Sequence, residues 1–365
     1  RRECREPARA NAIRRAPRST NAAMRQQSLR VLFGVCDDTP LPEDGTLEVY
    51  DLFCGAGGFS CGATTAGCKV AFACDHSPEA IETHARNHRS TRHLVCDLPC
   101  ELPLPTDGRL YHLHGSPPCQ LFSSVNKNSG LHSDKTPGIN LIEWYLQFAL
   151  SSGATSWSME QVAAVEVLEI LERVRLQNLG AMAYAVFDFS KLGVPQNRKR
   201  VLAGSPHLIA KLQREEQWAN RRSVCSVIAK PRGTHIRGGN TSRRETQRIV
   251  TDKHGKKRYQ YARAKWTDYC FPIDGVAPTV TSRAPWWIKG DGIGCNRSVL
   301  YVSELAALQT FPPTYKWPDN KSEAYRQIGN AVPPRVAELL LRTRAPLRAL
   351  DLAEGLRCGS PSLRA

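Results

Sequence analysis

The chain has 365 residues, 41% of them hydrophobic, and a formal net charge of +16. That length buries a sizeable core in one large domain or two ordinary ones. No run approaches 18 uninterrupted apolar residues, which argues against a membrane span. Thirteen cysteines, an odd count without a CxxC pair, argue against a disulfide scaffold or a structural zinc site; reduced thiols in the cytoplasm of a prokaryote or the nucleus of a eukaryote are the expectation.

Residues 1–45 are Arg-rich, carry scattered Pro and show no period, so they read as a basic, mobile arm. Strand and helix signals alternate from residue 47. Leu47–Phe53 is a short apolar run ending at Gly55, Gly57 and Gly58, and Lys69–Asp75 is a second. Ser77, Pro78 and Glu79 read as N-cap, first helical residue and first-turn acid of a helix reaching about His88. Further runs lie at Arg109–Gly115, Thr155–Val162, Tyr184–Phe189 and Arg200–Gly204, with helical patterns at 140–150 and 163–178. This alternation predicts a parallel sheet covered on both faces. From 206 to 276 the pattern fails, and helical periodicity returns at Ser303–Thr310 and after Pro334. The expected layout is a catalytic α/β domain made of residues 46–205 and 300–347, interrupted by a basic insert at 206–299 and followed by a tail at 348–365.

Charge follows this division. Residues 206–295 hold 18 Lys/Arg against 7 Asp/Glu, a net +11, while residues 1–45 carry +3. The rest is close to neutral. A basic module beside a neutral one points to a polyanionic partner, with catalysis housed elsewhere.

Two stretches carry chemistry. In Asp51-Leu-Phe-Cys-Gly-Ala-Gly-Gly-Phe59, glycines after a first strand let backbone approach a ligand at the strand's carboxyl end. Asp75 closes the second strand about 20 residues later, where an acid commonly takes ribose hydroxyls. A dinucleotide oxidoreductase has the same plan, but Ser60 stands where the last glycine of GxGxxG belongs. The second stretch, His114-Gly-Ser-Pro-Pro-Cys-Gln-Leu-Phe-Ser123, follows a predicted strand. Two prolines fix the backbone before Cys119 and present its thiol as a nucleophile candidate. His84, His88 and His93 lack metal-ligand spacing and read as surface residues; no metal is expected.

Asp51–Phe59, Pro117–Gln120, Met159-Glu-Gln-Val162, Gln196-Asn-Arg-Lys-Arg200 and Gly329-Asn-Ala-Val-Pro-Pro334 occur in the order of the cytosine-C5 methyltransferase family. The chain resembles that family from about residue 47 to 345, outside the insert. The resemblance implies a Rossmann-like α/β domain with a smaller inserted target-recognition domain. It also implies transfer of a methyl group from S-adenosylmethionine to carbon 5 of a flipped cytosine in double-stranded DNA, by a monomer. Cys119 would add to carbon 6, Glu160 would meet N3 with a pKa raised by burial, Arg200 would reach the base carbonyl or a nearby phosphate, and Arg198 would fix the catalytic loop and a phosphate. For the cofactor, Phe53 would line the adenine, and Gly55, Gly57 and Gly58 the methionine part. Asp75 would take the ribose and Asp97 the adenine amino group, with Pro117, Asn330 and Val332 closing the pocket. Gln196, Arg243, Arg244, Lys256, Lys257 and Arg258 are the expected nucleic-acid contacts. Two positions depart from the family: Gln161 replaces the usual Asn after the Glu, and Ser116 replaces a common Gly. The tRNA-methylating branch of the same family is the competing reading. Cys270-Phe-Pro here lacks that branch's Cys-Phe-Thr. An intact Cys119, Glu160 and Arg198 argue against a third reading, a weakly active DNA-binding regulator.

Overall fold

A computed structural model describes residues 46–118, 135–218, 221–237, 246–251, 257–262, 270–282, 285–288 and 297–342. The arm, Cys119, Arg243, Arg244, Lys256 and the tail lie outside these residues.

The large sheet has seven strands: β1 (Glu48–Leu52), β2 (Lys69–Asp75), β3 (Arg92–Val95), β4 (Tyr111–Gly115), β5 (Ser156–Gln161), β6 (Ala183–Asp188) and β7 (Lys199–Gly204). Their order is β3-β2-β1-β4-β5-β7-β6. The first five pair in parallel, but β7 runs antiparallel to both β5 and β6. The sheet is therefore mixed, not all parallel as expected. The reason is chain length: residues 189–198 contain one short 3-10 turn, Phe189–Leu192, and are too few for a covered crossover, so β6 and β7 return as neighbours.

Helices cover both faces. The first core joins Leu52, Leu113 and Phe72 to Ile142, Tyr145 and Leu146 of α3 (Thr136–Ser151) and to Val167 and Leu171 of α4 (Val165–Gln177). The second joins Val49, Phe187 and Leu202 to α1 (Gly58–Thr65), α5 (Pro206–Trp218) and α8 (Pro334–Leu341). Alternate residues of β1 thus feed opposite cores, as the period of two requires. Buried Glu48 is paired by Lys69 Nζ at 3.0 Å and by Arg109 at 3.4 Å. The helix α2 (Pro78–Asn87) starts as expected, with Ser77 Oγ accepting from the Ala80 amide at 3.3 Å.

Helix α5 corrects the expectation that the pattern fails from residue 206. Leu208, Ile209 and Leu212 pack into the second core, so residues 206–218 cover the large sheet. This helix holds two Lys/Arg and two Glu, and the whole +11 stays in residues 219–295.

A four-stranded antiparallel sheet, in order β11-β8-β12-β13, uses β8 (His235–Arg237), β11 (Cys270–Pro272), β12 (Trp286–Ile288) and β13 (Arg297–Val299). A separate pair joins β9 (Thr246–Thr251) to β10 (Lys257–Ala262). The small sheet shares a third core with the following segment. Ile236, Val280 and Trp287 pack with Leu305 and Leu308 of α6 (Val302–Leu308), with Phe311 and Tyr315, and with Ile328 of α7 (Lys321–Asn330). No described helix is long and apolar enough to cross a membrane.

Candidate active site

A cleft opens beyond the carboxyl ends of β1, β2, β4 and β5, the place where open α/β sheets bind ligands. The turn after β1 is held in conformations that L-residues rarely adopt. Phe53 has φ 56°, Gly55 54° and Gly57 90°. A left-handed phenylalanine costs about 1–2 kcal/mol, and such strain concentrates at ligand sites. Phe53 lines the cleft, and its ring meets the edge of Trp144 at 6.4 Å between centroids.

The glycines divide by task. Gly55 lines the cleft, whereas Gly57 and Gly58 are not among its lining residues. A Cβ on Gly57 would lie 2.8 Å from both His84 and the Tyr315 hydroxyl, and one on Gly58 would lie 2.2 Å from the Val332 carbonyl. Packing demands these two glycines. The close helix approach expected of the last glycine of GxGxxG falls to Gly62, whose Cβ would meet the Pro334 carbonyl at 2.1 Å. Ser60 at the missing position does other work, donating its hydroxyl to Asp51 Oδ2 at 2.7 Å.

Asp51 and Asp75 sit side by side at the strand ends, in different environments. Asp51 is 1% exposed, lines the cleft, and its Oδ1 has no partner within the protein. Burial pushes its carboxyl up to about 7. Asp75 accepts from the Gly55 and Ser77 amides, each at 2.9 Å, and stands 3.1 Å from His76 Nδ1. Burial pushes Asp75 up, but His76 and the two amides outweigh it and hold the carboxyl below its ordinary value. The Asp75 contact in turn raises the His76 pKa. An orphaned buried carboxylate oxygen, a strained aromatic and a ribose-type acid in one cleft fit a nucleoside bearing a cationic tail.

On the other wall stands Glu160 at the end of β5, 6% exposed. Arg200 Nε is 3.1 Å from its carboxylate, with both side chains largely buried. The contact is an ion pair without hydrogen-bond alignment, since Glu160 Oε1 makes no hydrogen bond. Ser116, Pro117 and Pro118 line the cleft between the two walls, so the backbone leading to Cys119 departs from here. Both departures from the family pattern are fastened. Gln161 is fully buried; its Nε2 donates to the Pro117 carbonyl at 2.9 Å and its Oε1 accepts from the Val162 amide at 2.8 Å. Ser116 Oγ is 2.9 Å from His114 Nε2 and ends a buried chain through Ser158 and His112 to Ser156, with contacts of 2.8 or 2.9 Å. Burial holds both histidines far below their ordinary pKa, so they are neutral links.

Two expected nucleic-acid contacts are struts. Arg198 is 2% exposed and donates to the carbonyls of Val280, Gly329 and Ala331 at 3.0–3.4 Å. Gln196 is fully buried, donates to the Leu308 carbonyl at 2.9 Å and accepts from the Val280 amide at 2.9 Å. Both side chains are buried and donate to the protein's own backbone carbonyls, so they hold the seam between these segments together. These contacts tie β7 to the end of the small-sheet region and to Gly329–Ala331.

Asn330 and Val332 line the cleft as expected, and Arg326 and Gln327 join Asn330 on α7. These two, with His76, were missed. The signal was present: Arg326, Gln327 and Asn330 are spaced i, i+1, i+4, so a helix presents them together. Asp97 is exposed and is not among the lining residues; its charge acts on His76. The structure places Lys257 and Arg258 on β10. The three histidines are not surface residues. His84 is fully buried, with Nδ1 2.8 Å from His93 and Nε2 3.0 Å from Ser60, and His88 lies 3.4 Å from the Tyr315 hydroxyl. Among the described residues no group of three His, Cys, Asp or Glu is arranged to hold a metal ion.

The family model described as C-5 cytosine-specific DNA methylase matches residues 47–344. The chain is 26% identical over 310 residues to the type II methyltransferase M.HindV of Haemophilus influenzae, covering 80% of this chain and 95% of that one. It is 25% identical to M.HgiDI of Herpetosiphon aurantiacus, covering 80% and 93%. A solved structure of a triple mutant of Spodoptera frugiperda DNMT2 shares the fold, with a TM-score of 0.54 and 17% identity over 81% of this chain and 99% of that one.

Proposed function

Because the chain belongs to the C-5 cytosine-specific DNA methylase family, we propose that it methylates carbon 5 of cytosine in double-stranded DNA with S-adenosylmethionine as donor. The observation that carries this reading is the convergence on one cleft of a nucleoside-binding wall, Phe53 and Asp75, with Glu160 and the Ser116–Pro118 stem of the Cys119 loop.

S-Adenosylmethionine supplies an electrophilic methyl group when bound. In this reading Phe53 lies against the adenine, Asp75 holds the ribose, and Asp51 Oδ1 offers a negative charge to the methionine end. Asn330 and Val332 close the cleft from the returning chain.

Carbon 5 of cytosine is a poor nucleophile until the ring is made electron-rich. The Cys119 thiolate forms a bond to carbon 6, and the electron pair pushed through the ring appears at carbon 5 and N3. Glu160 meets N3 and supplies its proton, and Arg200, already 3.1 Å from Glu160, holds that carboxyl in place. After transfer, water takes the carbon-5 proton, the electron pair of that bond expels the Cys119 thiolate from carbon 6, and N3 returns its proton to Glu160, which restores the aromatic ring. Gln161 and Ser116 fasten the stem of the Cys119 loop. The target base reaches the cleft only when flipped out of the duplex, at a cost of a few kcal/mol. Residues 219–299, with their excess of positive charge, grip the surrounding phosphates and form the recognition module.

The test is transfer of a tritiated methyl group to duplex DNA and, in parallel, to tRNA. Label in DNA cytosine is the expected result. Label confined to tRNA would assign the chain to the other branch of the family, and label in neither would reject the activity.

A further inference from the structure

Asp75 already carries more donors than a carboxylate receiving a ribose can keep. Its Oδ1 takes the Ser77 amide at 2.9 Å and faces His76 Nδ1 at 3.1 Å, and its Oδ2 takes the Gly55 amide at 2.9 Å. A carboxylate has about four acceptor positions. Three are in use, and both on Oδ1 are filled. A ribose brings two hydroxyls, on adjacent carbons, and needs one more position than Asp75 has open.

The three donors are unequal. The Gly55 amide belongs to the turn after β1, and the Ser77 amide to the N-cap of α2, so the backbone fixes both. Only His76 sits on a rotatable side chain, 63% exposed, and it lines the same cleft. The charges acting on it come from three elements: Asp75 at the end of β2, Asp97 after β3, and Arg326 on α7, itself paired with Glu323 at 2.6 Å. Glu79, in the first turn of α2, is bound to Ser77 Oγ at 2.8 Å.

We propose that His76 and the ribose hydroxyls of the cofactor compete for Asp75, so that cofactor binding swings His76 off the carboxylate and releases its proton. This rests on the reading of Asp75 as the ribose ligand. The balance is simple: the imidazolium–carboxylate contact breaks, a ribose hydroxyl donates to Oδ1 in its place, and the imidazolium, without its anion, gives its extra proton to the buffer. Arg326 across the cleft favours that loss, since like charges repel. Asp51 also titrates near neutrality in this cleft, so the His76 contribution is read as a difference between variants.

The experiment is calorimetric titration of the protein with S-adenosylmethionine between pH 6 and 8, in phosphate and in Tris, whose ionisation enthalpies differ. The expected wild-type result is net proton release, with affinity rising with pH by up to about tenfold per unit for each proton released. His76→Ala is expected to bind several-fold more tightly at pH 6 and to lose most of the proton release. His76→Gln, which still donates to Asp75 but cannot titrate, is expected to lose the release without the gain. Weaker binding by His76→Ala, or an unchanged proton count, overturns the competition. Asp75→Ala separates the two ideas. Unchanged affinity in that variant rejects the ribose reading and the competition with it. Weakened affinity there, beside an unaffected His76→Ala, rejects the competition alone.

Discussion

Around the β1–β2 wall of the cleft, polar groups are fastened by short-range backbone geometry. Asp75 is held by the amides of the turn after β1 and of its neighbouring N-cap, and Asp51 by the Ser60 hydroxyl in the first turn of the next helix. Around the small sheet, the fastening is long-range and sparse. Glu304 gathers Arg232 at 2.8 Å, the Trp287 indole at 3.0 Å and the Tyr301 amide at 2.7 Å, and Arg232 lies 3.7 Å over the Tyr301 ring. One acid at the start of α6 thus organises groups 70 residues apart. The contrast fits two tasks. A site that must recognise one small cofactor gains from donors fixed in advance. A surface meeting a long polyanion needs positive charge more than fixed positions.

The most severe way to separate the two regions is to remove the expected nucleophile. Cys119→Ser is expected to abolish methyl transfer and covalent trapping on DNA containing 5-fluorocytosine. Calorimetry should find S-adenosylmethionine affinity unchanged, because no cofactor contact is assigned to the thiol. Normal turnover in this variant would reject the covalent mechanism.

A smaller effect, on stability, tests the seam between the regions. Arg198 is the buried link from β7 to Val280 and to Gly329–Ala331. Arg198→Ala takes this donor from the Val280 and Gly329 carbonyls, while Ala331 keeps Gln309 Nε2 at 3.1 Å; at about 1–3 kcal/mol each, a loss of roughly 2 kcal/mol or more is expected. Chemical denaturation of the full chain measures it. A residue acting mainly on phosphate would instead change the salt dependence of DNA binding and leave stability alone.

Legibility followed the same seam. Six strands of the large sheet announced themselves as short apolar runs, the central ones because both faces are buried, while the half-buried β3 did not; the turn glycines and Pro-Pro-Cys stood out because backbone constraint requires particular residue types. What failed was anything settled by distant packing. The reversal of β7 depends on the length of its connection, and helix α5 was hidden by the charged residues among Leu208, Ile209 and Leu212. Arg198 and Gln196 look in sequence like charged and polar contacts for a ligand; only their burial against residues 80 or more positions away shows them as struts. His84 and His88 share a helix face, but nothing local says that Ser60, His93 and Tyr315 will enclose that face.

That histidine cluster gives a stability test specific to the cofactor half. Burial first, then His88 and His93, holds His84 well below its ordinary value; burial and then His93 hold His88 at about 4, and burial alone holds His93 at about 4. In the unfolded chain each titrates near 6.5. Between those values the unfolded state binds more protons than the folded one, so stability falls as pH drops from about 6.5 towards 4. His112 and His114, also held low by burial, act in the same sense, while the raised values of His76 and Asp51 oppose them. A net loss of several kcal/mol is expected across that window, tracked by denaturant titration at stepped pH. His93→Gln, which keeps a polar partner for His84 without a titrating ring, is expected to flatten the slope. An unchanged slope in that variant would place the acid sensitivity elsewhere.

The mildest perturbation bears on the small-sheet half alone. Helix α5 is neutral, so the net +11 counted over 206–295 is carried by residues 219–295. Lys257 and Arg258 begin β10, which pairs with β9 in the register Lys257 to Thr251 and Arg258 to Val250, and Lys256 precedes them in sequence. If this segment meets phosphate, converting all three to Ala weakens binding to every duplex alike, since phosphates carry no sequence information. The slope of log affinity against log salt then flattens by up to about 0.9 for each phosphate no longer neutralised. Cofactor affinity stays fixed, because none of Phe53, Asp75 and Asn330 lies in this segment. Fluorescence anisotropy over a salt series, on target and scrambled duplexes, reads all of this. A loss restricted to the target duplex would make these residues base readers. An unchanged slope would mean that the three charges face solvent, and that the phosphate grip falls to the remaining basic residues between 219 and 295.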